Sequence, residues 1–413
     1  MQLFRSKWIA LFTSNYLGIF NDNLLKNCII FIAVAWTLPH WLTQSQLISL
    51  VSASLVIPYL FLSPLAGRLA VVYSKKKVFL LCKLLEIPVL FLACIAFYFH
   101  LIILAVLTIL LMGILSCLYS PSKYSLIRDI GGEKGVSFGS GVFEMMAFLG
   151  ILTGTVAASI ISDSYNQWLV FGLYLGLALL GYLVTHTIHV KELPENKDDL
   201  GHLNPIRFLA DSYCFARKHK FVNSAVFGAS SFWLIGGMLQ MNLFIHCKHV
   251  YKASNTTTGL VMASAAIGIA LGCWAAGKIS GNEVKKGLIL IGISSMSLLF
   301  FIMAFFNLNI VVFFLCIFSV AFMGGMFQIP CLSMLQNANL GRKLGDMIAY
   351  LNLVTFVFVL LGTLFFSLTT YFTNENSFAV FGVLLVICIL ITGYFLKISP
   401  DFRNETKVIL LRK

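Results

Sequence analysis

The sequence predicts an all-α integral membrane protein with twelve transmembrane helices arranged as two six-helix parallel repeats. Three observations carry that prediction. Of 413 residues, 59% are hydrophobic and 11% charged, whereas a water-soluble domain has about a quarter of its residues charged. Apolar windows near the roughly 20 residues that cross a bilayer as a helix follow one another along the chain. The basic residues also take sides. Of the 29 Lys and Arg, Lys248 and Lys252 fall at one set of window ends, Lys26 and Lys83 fall inside windows, and all the others lie at the opposite ends. By the positive-inside rule this places both termini in the cytoplasm.

The first window, residues 8–36, is longer than a signal-peptide core and carries Asp22 and Lys26, so it reads as a retained span. The second, 47–72, ends at Gly67-Arg68 before the run Lys75-Lys76-Lys77. The third, 78–99, holds Lys83 and Glu86 one turn apart near its basic end, a spacing that reads as a snorkelling pair. The fourth, 101–120, is predicted to break at Pro121 and free backbone carbonyls there. The fifth, 136–162, contains Glu144 beside Gly141, and the sixth covers 167–188. A polar stretch, Lys191 to Lys220, follows with Pro194 and Pro205. The seventh, 221–246, has Gly236 and Gly237, read as packing glycines, and the uncharged polar Gln240 and Asn242. The remaining windows are 257–280, 284–306, 308–331, 346–371 and 377–397. The predicted domains are therefore a bundle at 1–190, a cytoplasmic linker at 191–220, and a second bundle with a short tail at 221–413.

The two halves echo each other. Gly67-Arg68 before Lys75-Lys76-Lys77 returns as Gly277-Lys278 before Lys285-Lys286, 210 residues on. Tyr119-Ser120-Pro121 with Glu144 returns as Gln328-Ile329-Pro330 with Asn352 at nearly the same offset. A duplicated six-helix unit is a transporter architecture.

Asn15, Asp22 and Lys26 are spaced by seven and four, which places them within roughly 40° on one face of the first helix, with Asn21 and Asn23 adding polarity. A charge at the centre of a membrane helix costs about 2.5–3.5 kcal/mol, so this stripe faces protein or water. The plainer alternative is an Asp22 to Lys26 pair that neutralises itself. Tyr119, Lys123 and Tyr124 form a second group, in which Lys123 offers an ammonium to a phosphate or carboxylate or serves only the positive-inside bias. Glu144 is either a cavity-facing carboxyl or a buried packing acid.

The catalytic and cofactor alternatives find no support. No His is followed five positions later by Asp, and no glycine-rich phosphate loop ends in Lys and Ser or Thr. The ten cysteines lie mostly within apolar runs without metal-ligand spacing, so neither disulfides, metal nor cofactor is expected. The net charge of +13 is distributed over the loops, which argues against a nucleic-acid partner.

Phe20-Asn21-Asp22-Asn23, Tyr119-Ser120-Pro121-Ser122-Lys123-Tyr124, Glu144, Phe232-Trp233, Ile329-Pro330 through Leu335-Gln336, and Asn352-Leu353 resemble the major facilitator superfamily, most nearly its bacterial lysophospholipid transporters. The resemblance implies the major facilitator fold and a non-enzymatic role in the bacterial inner membrane. It implies movement of a lysophosphatidylethanolamine-like lipid from outer to inner leaflet by alternating access. The implied partners are membrane lipids and a separate acyltransferase or acyl-carrier-protein synthetase. It also implies substrate or gating roles for Asn15, Asp22, Asn23, Lys26, Tyr119, Lys123, Tyr124, Glu144, Gln240 and Asn352. The chain departs from the superfamily pattern at Val71, where an acidic residue is usual, and from the lysophospholipid transporters at Gln240, where they carry arginine. Lys26 or Lys123 would then supply the missing positive charge. The alternative function is proton-coupled transport of a small polar or amphipathic solute through Asp22 or Glu144.

Overall fold

The structure is a computed structural model that describes residues 6–32, 36, 39–40, 44–163, 166–193 and 202–411. Arg5, residues 194–201 of the predicted linker, and residues 412–413 lie outside the described residues. The helices are α1 (Ser6–Phe31), α2 (Gln44–Val72), α3 (Lys75–Tyr98), α4 (Ile102–Asp163), α5 (Gln167–His186), α6 (Pro205–Arg217), α7 (Val222–His249), α8 (Asn255–Ser280), α9 (Gly287–Phe305), α10 (Ile310–Asn337), α11 (Leu344–Phe372), α12 (Ser377–Ile398) and α13 (Pro400–Leu411). Among the described residues, ten helices are long and apolar enough to cross a membrane. α4 is 62 residues long, about 93 Å at 1.5 Å per residue, and crosses twice. α1 makes the twelfth crossing, its average hydropathy diluted by Asn15, Asn21, Asp22, Asn23, Lys26 and Asn27.

The expected break at Pro121 is not there. Helix continues through Pro121, and the interruption falls eleven residues later at Gly132, with φ 60° and ψ −169°. Proline removes one N–H and disturbs one carbonyl, which a membrane helix tolerates when neighbours satisfy the freed group. The conformation at Gly132, by contrast, is one that a side chain would resist.

The chain forms two units. Unit 1 comprises Met1–Ile130, Leu149–Phe215 and Asn339–Leu353; unit 2 comprises Gly131–Phe148, Ala216–Ala338 and Val354–Lys413. The core of unit 1 joins Leu24, Leu25 and Cys28 of α1 to Leu90, Ala93 and Phe97 of α3, Ile109 and Met112 of α4, and Tyr174 of α5. In unit 2, α8 and α10 approach closely enough that a Cβ on Gly272 would collide with the Phe322 carbonyl. The close approach of α7 is at Gly228, against Cys331 and Phe395; Gly236 and Gly237 have open space where a Cβ would go and are not packing glycines. Large apolar side chains stay exposed on the outer faces, among them Phe61, Ile103, Leu298 and Leu390, as a hydrocarbon solvent permits.

The duplication is visible in side chains as well as in helix order. α3 lies against α5 in unit 1, and α9 lies against α12 in unit 2. At the start of α3, Glu192 accepts hydrogen bonds from the N–H groups of Lys75 (2.6 Å) and Lys76 (3.0 Å). At the start of α9, Glu405 accepts from the N–H of Gly287 (3.3 Å) and pairs with Lys286 (3.0 Å). Each carboxylate meets the positive end of a helix dipole. Glu192 has a further neighbour in Arg342, which is 3.8 Å away and donates to the carbonyls of Tyr73 and Leu193.

Candidate functional site: a buried polar cluster in unit 1

α1 supplies the first wall. Asn15 and Asn21 are buried, and the amide of Asn23 donates back to the Ile19 carbonyl at 2.8 Å. The backbone of α1 is approached closely by the second crossing of α4. A Cβ on Gly154 would lie 2.6 Å from the Phe20 carbonyl and 3.2 Å from the Cβ of Asn23. Asn27 ties the same pair of helices through Thr155, at 3.0 Å.

Asp22 accepts a hydrogen bond from Ser116 Oγ of α4 at 2.9 Å, while its Oδ1 is buried without a hydrogen-bond partner. Asp22 and Lys26 make no ion-pair contact among the described residues, although their charges act on one another. Lys83, Glu86 and Lys123 also act on Asp22.

Sequence reasoning missed Lys83 and Glu86 as members of this cluster. Their side chains are 1% and 2% exposed, and Lys83 Nζ reaches both carboxylate oxygens of Glu86, at 2.7 and 2.8 Å. The pair does not snorkel. Lys83 is eight residues into α3, about 12 Å from its start, and three lysines already occupy that end. Gly18 makes room for it: a Cβ there would sit 2.5 Å from the ammonium.

Tyr119 lies at the centre of the group. It is buried, and the ammoniums of Lys83 and Lys123 stand 5.1 and 5.2 Å from its ring centroid, within cation–π range. Phe79 packs on the same ring at 5.1 Å. Lys123 is itself buried and lies 5.5 Å from the ring of Tyr124, which is half-buried. Because α4 is unbroken at Pro121, Tyr119, Lys123 and Ser116 occupy neighbouring turns of one helix. Tyr59 of α2 hydrogen-bonds Ser120, and Asn352 of α11 donates to the same hydroxyl at 3.0 Å.

Unit 1 thus assembles Asp22, Tyr119, Lys123 and Asn352 of the predicted residues, adds Ser116, Lys83, Glu86 and Tyr59, and places Asn15, Asn23 and Lys26 along the same α1. Two predicted residues belong to unit 2. Glu144 is buried near Cys273 of α8, one turn from Ser140, which donates to Gln336 at 2.8 Å. Gln240 is exposed on α7.

This arrangement combines two buried cations, two carboxyls and aromatic faces inside an apolar bundle, a setting for a charged or zwitterionic group. The profile described as Major Facilitator Superfamily matches residues 16–354. The chain belongs to the major facilitator superfamily. It is a multi-pass transporter, and solved members share its fold. The Escherichia coli fucose:proton symporter FucP superposes with a TM-score of 0.75 at 14% identity, covering 94% of this chain and 98% of that one. A bacterial homologue of the iron transporter ferroportin does so at 0.71 and 14%, covering 95% and 99%. In sequence, the chain is similar to proteins named Lysophospholipid transporter LplT. The relative from Pectobacterium carotovorum is 24% identical over 83% of this chain and 82% of its own length. The one from Serratia proteamaculans is 25% identical over 79% of each. The match to the Photorhabdus laumondii protein, 25% identical, spans 65% of each chain.

Proposed function

We propose that this superfamily member carries a lysophospholipid, of the lysophosphatidylethanolamine kind, from the outer to the inner leaflet of a bacterial inner membrane by alternating access. The observation that carries this reading is the cluster of Asp22, Lys83, Glu86, Tyr119 and Lys123 in a chain related to lysophospholipid transporters. A phosphodiester head group needs a cation in a poorly hydrated site, and Lys123 against Tyr119 supplies one. An ammonium on the head group finds the buried, unpartnered Oδ1 of Asp22. The single acyl chain stays in hydrocarbon, where leaving it is cheapest.

In this reading Asn15, Asn23, Lys26, Tyr124 and Asn352 line or gate the head-group path. The positive charge that relatives place at the position of Gln240 is supplied by Lys83 and Lys123. Residues 1–190 and 221–413 act as the two repeats, 191–220 as their cytoplasmic linker, and both termini lie in the cytoplasm. Product lipid is handed to a separate acyltransferase or acyl-carrier-protein synthetase.

Titration of the purified protein with lysophosphatidylethanolamine, with glycerophosphoethanolamine lacking the acyl chain, and with a free fatty acid tests the binding mode. The lysolipid is expected to bind tightest, and the Lys123→Ala variant to lose that preference. Equal binding of the fatty acid by parent and variant would overturn it.

A further inference from the structure

We propose that α6 is a membrane-surface helix that lays an apolar row into the headgroup region of an anionic leaflet. The protein covers one face of α6 and leaves the opposite one exposed. Phe208, Ser212 and Ala216 are buried, marking the covered face. Ile206, Ala210 and Tyr213 follow the spacing four and three and fall within about 60° on the other side. That row is exposed. Ile206 is 79% exposed and Tyr213 50%, and Leu203, just before the helix, is 50% exposed.

Two features select a lipid surface as the occupant. The first is charge. Arg207, Arg217 and Lys218 are all exposed on or just after α6, against one acid on the helix, Asp211. An apolar stripe flanked by cations is the pattern that binds an anionic interface. The second is the tether. α6 ends at Arg217 and the membrane-crossing α7 begins at Val222, so the end of α6 is within about 17 Å of chain from a bilayer-embedded helix. A helix of 13 residues, about 20 Å long, held that close to the surface reaches the headgroups without unfolding. This inference is independent of which substrate is carried.

The test uses the full chain in nanodiscs, with the exposed Cys214 replaced by Ser and single spin labels placed at Ile206, Tyr213 and Asp211. Collision with oxygen and with a water-soluble nickel chelate is measured in phosphatidylglycerol-containing and in all-phosphatidylcholine bilayers. In anionic bilayers the oxygen-to-nickel ratio is expected to be several-fold higher at 206 and 213 than at 211. Replacing Arg207, Arg217 and Lys218 together by Gln, or removing phosphatidylglycerol, is expected to lower that contrast. Labels at 206 and 213 that are open to the nickel chelate in both bilayers would overturn the proposal. Labels shielded from both reagents would overturn it in favour of a protein contact.

Discussion

Lys83→Met separates a structural ion pair from a solvated one. At 2.7 and 2.8 Å, opposite unit charges attract by about 6 kcal/mol at an effective dielectric of about 20. Desolvating each ion costs several kcal/mol, so the formed pair contributes close to nothing relative to an apolar pair of the same volume. The single substitution is a different matter, because it leaves Glu86, 2% exposed, without its counter-charge. The expected loss is about 3–5 kcal/mol of apparent stability. Lys83→Met with Glu86→Leu is expected to recover most of that loss, to within about 1 kcal/mol of the parent, because neither partner is left orphaned. Thermal unfolding followed by tryptophan fluorescence in a fixed detergent gives the three comparisons. The double variant should be stable yet defective in transport, since two of the charges acting on Asp22 are gone. Single and double variants both lying within about 0.5 kcal/mol of the parent would refute a buried pair.

Asp22→Asn keeps an acceptor for Ser116, so stability should change by less than about 1 kcal/mol, while transport in proteoliposomes falls at least about tenfold. Lys123→Ala should weaken lysophospholipid binding and Lys123→Arg retain much of it, with the exposed Lys134→Ala unchanged; a detergent-solution titration compares the three. Single cysteines at Asn374 and Lys285 in a cysteine-free background should react with an impermeant reagent from opposite sides of the membrane, and same-side labelling would contradict the charge-based orientation. The hydrogen bond from Lys220 holds the Asp401 carboxyl below its ordinary range. The tie between α13 and the start of α7 is therefore present above the ordinary aspartate pKa and lost as pH falls through the lowered one, which a spin label at Lys407 would register as rising mobility in acid.

The fold is legible because its cause is linear: apolar windows of membrane-spanning length set the crossings. Local chemistry was less so. Pro121 looked like a stop, yet the bundle absorbs it, and the interruption went to Gly132, where backbone freedom is cheapest. Asp22 is legible as an intramembrane carboxyl, and the spacing of four to Lys26 finds one of the charges it acts on. Packing adds charges from α3 and α4 that no local spacing reveals. The depth of Lys83 along α3 was the signal that would have found them. Asn352 emerged from the repeat, but its partner Ser120 is 232 residues away, and no local pattern reveals such a contact.

The most direct measurement of the central account is leaflet transfer of a fluorescent lysophosphatidylethanolamine in proteoliposomes, read by loss of access to an external quencher. Transfer that depends on the protein, proceeds without a proton gradient, and is abolished by Asp22→Asn is the result predicted. Protein-free transfer rates, alongside gradient-driven uptake of a water-soluble solute, would contradict it.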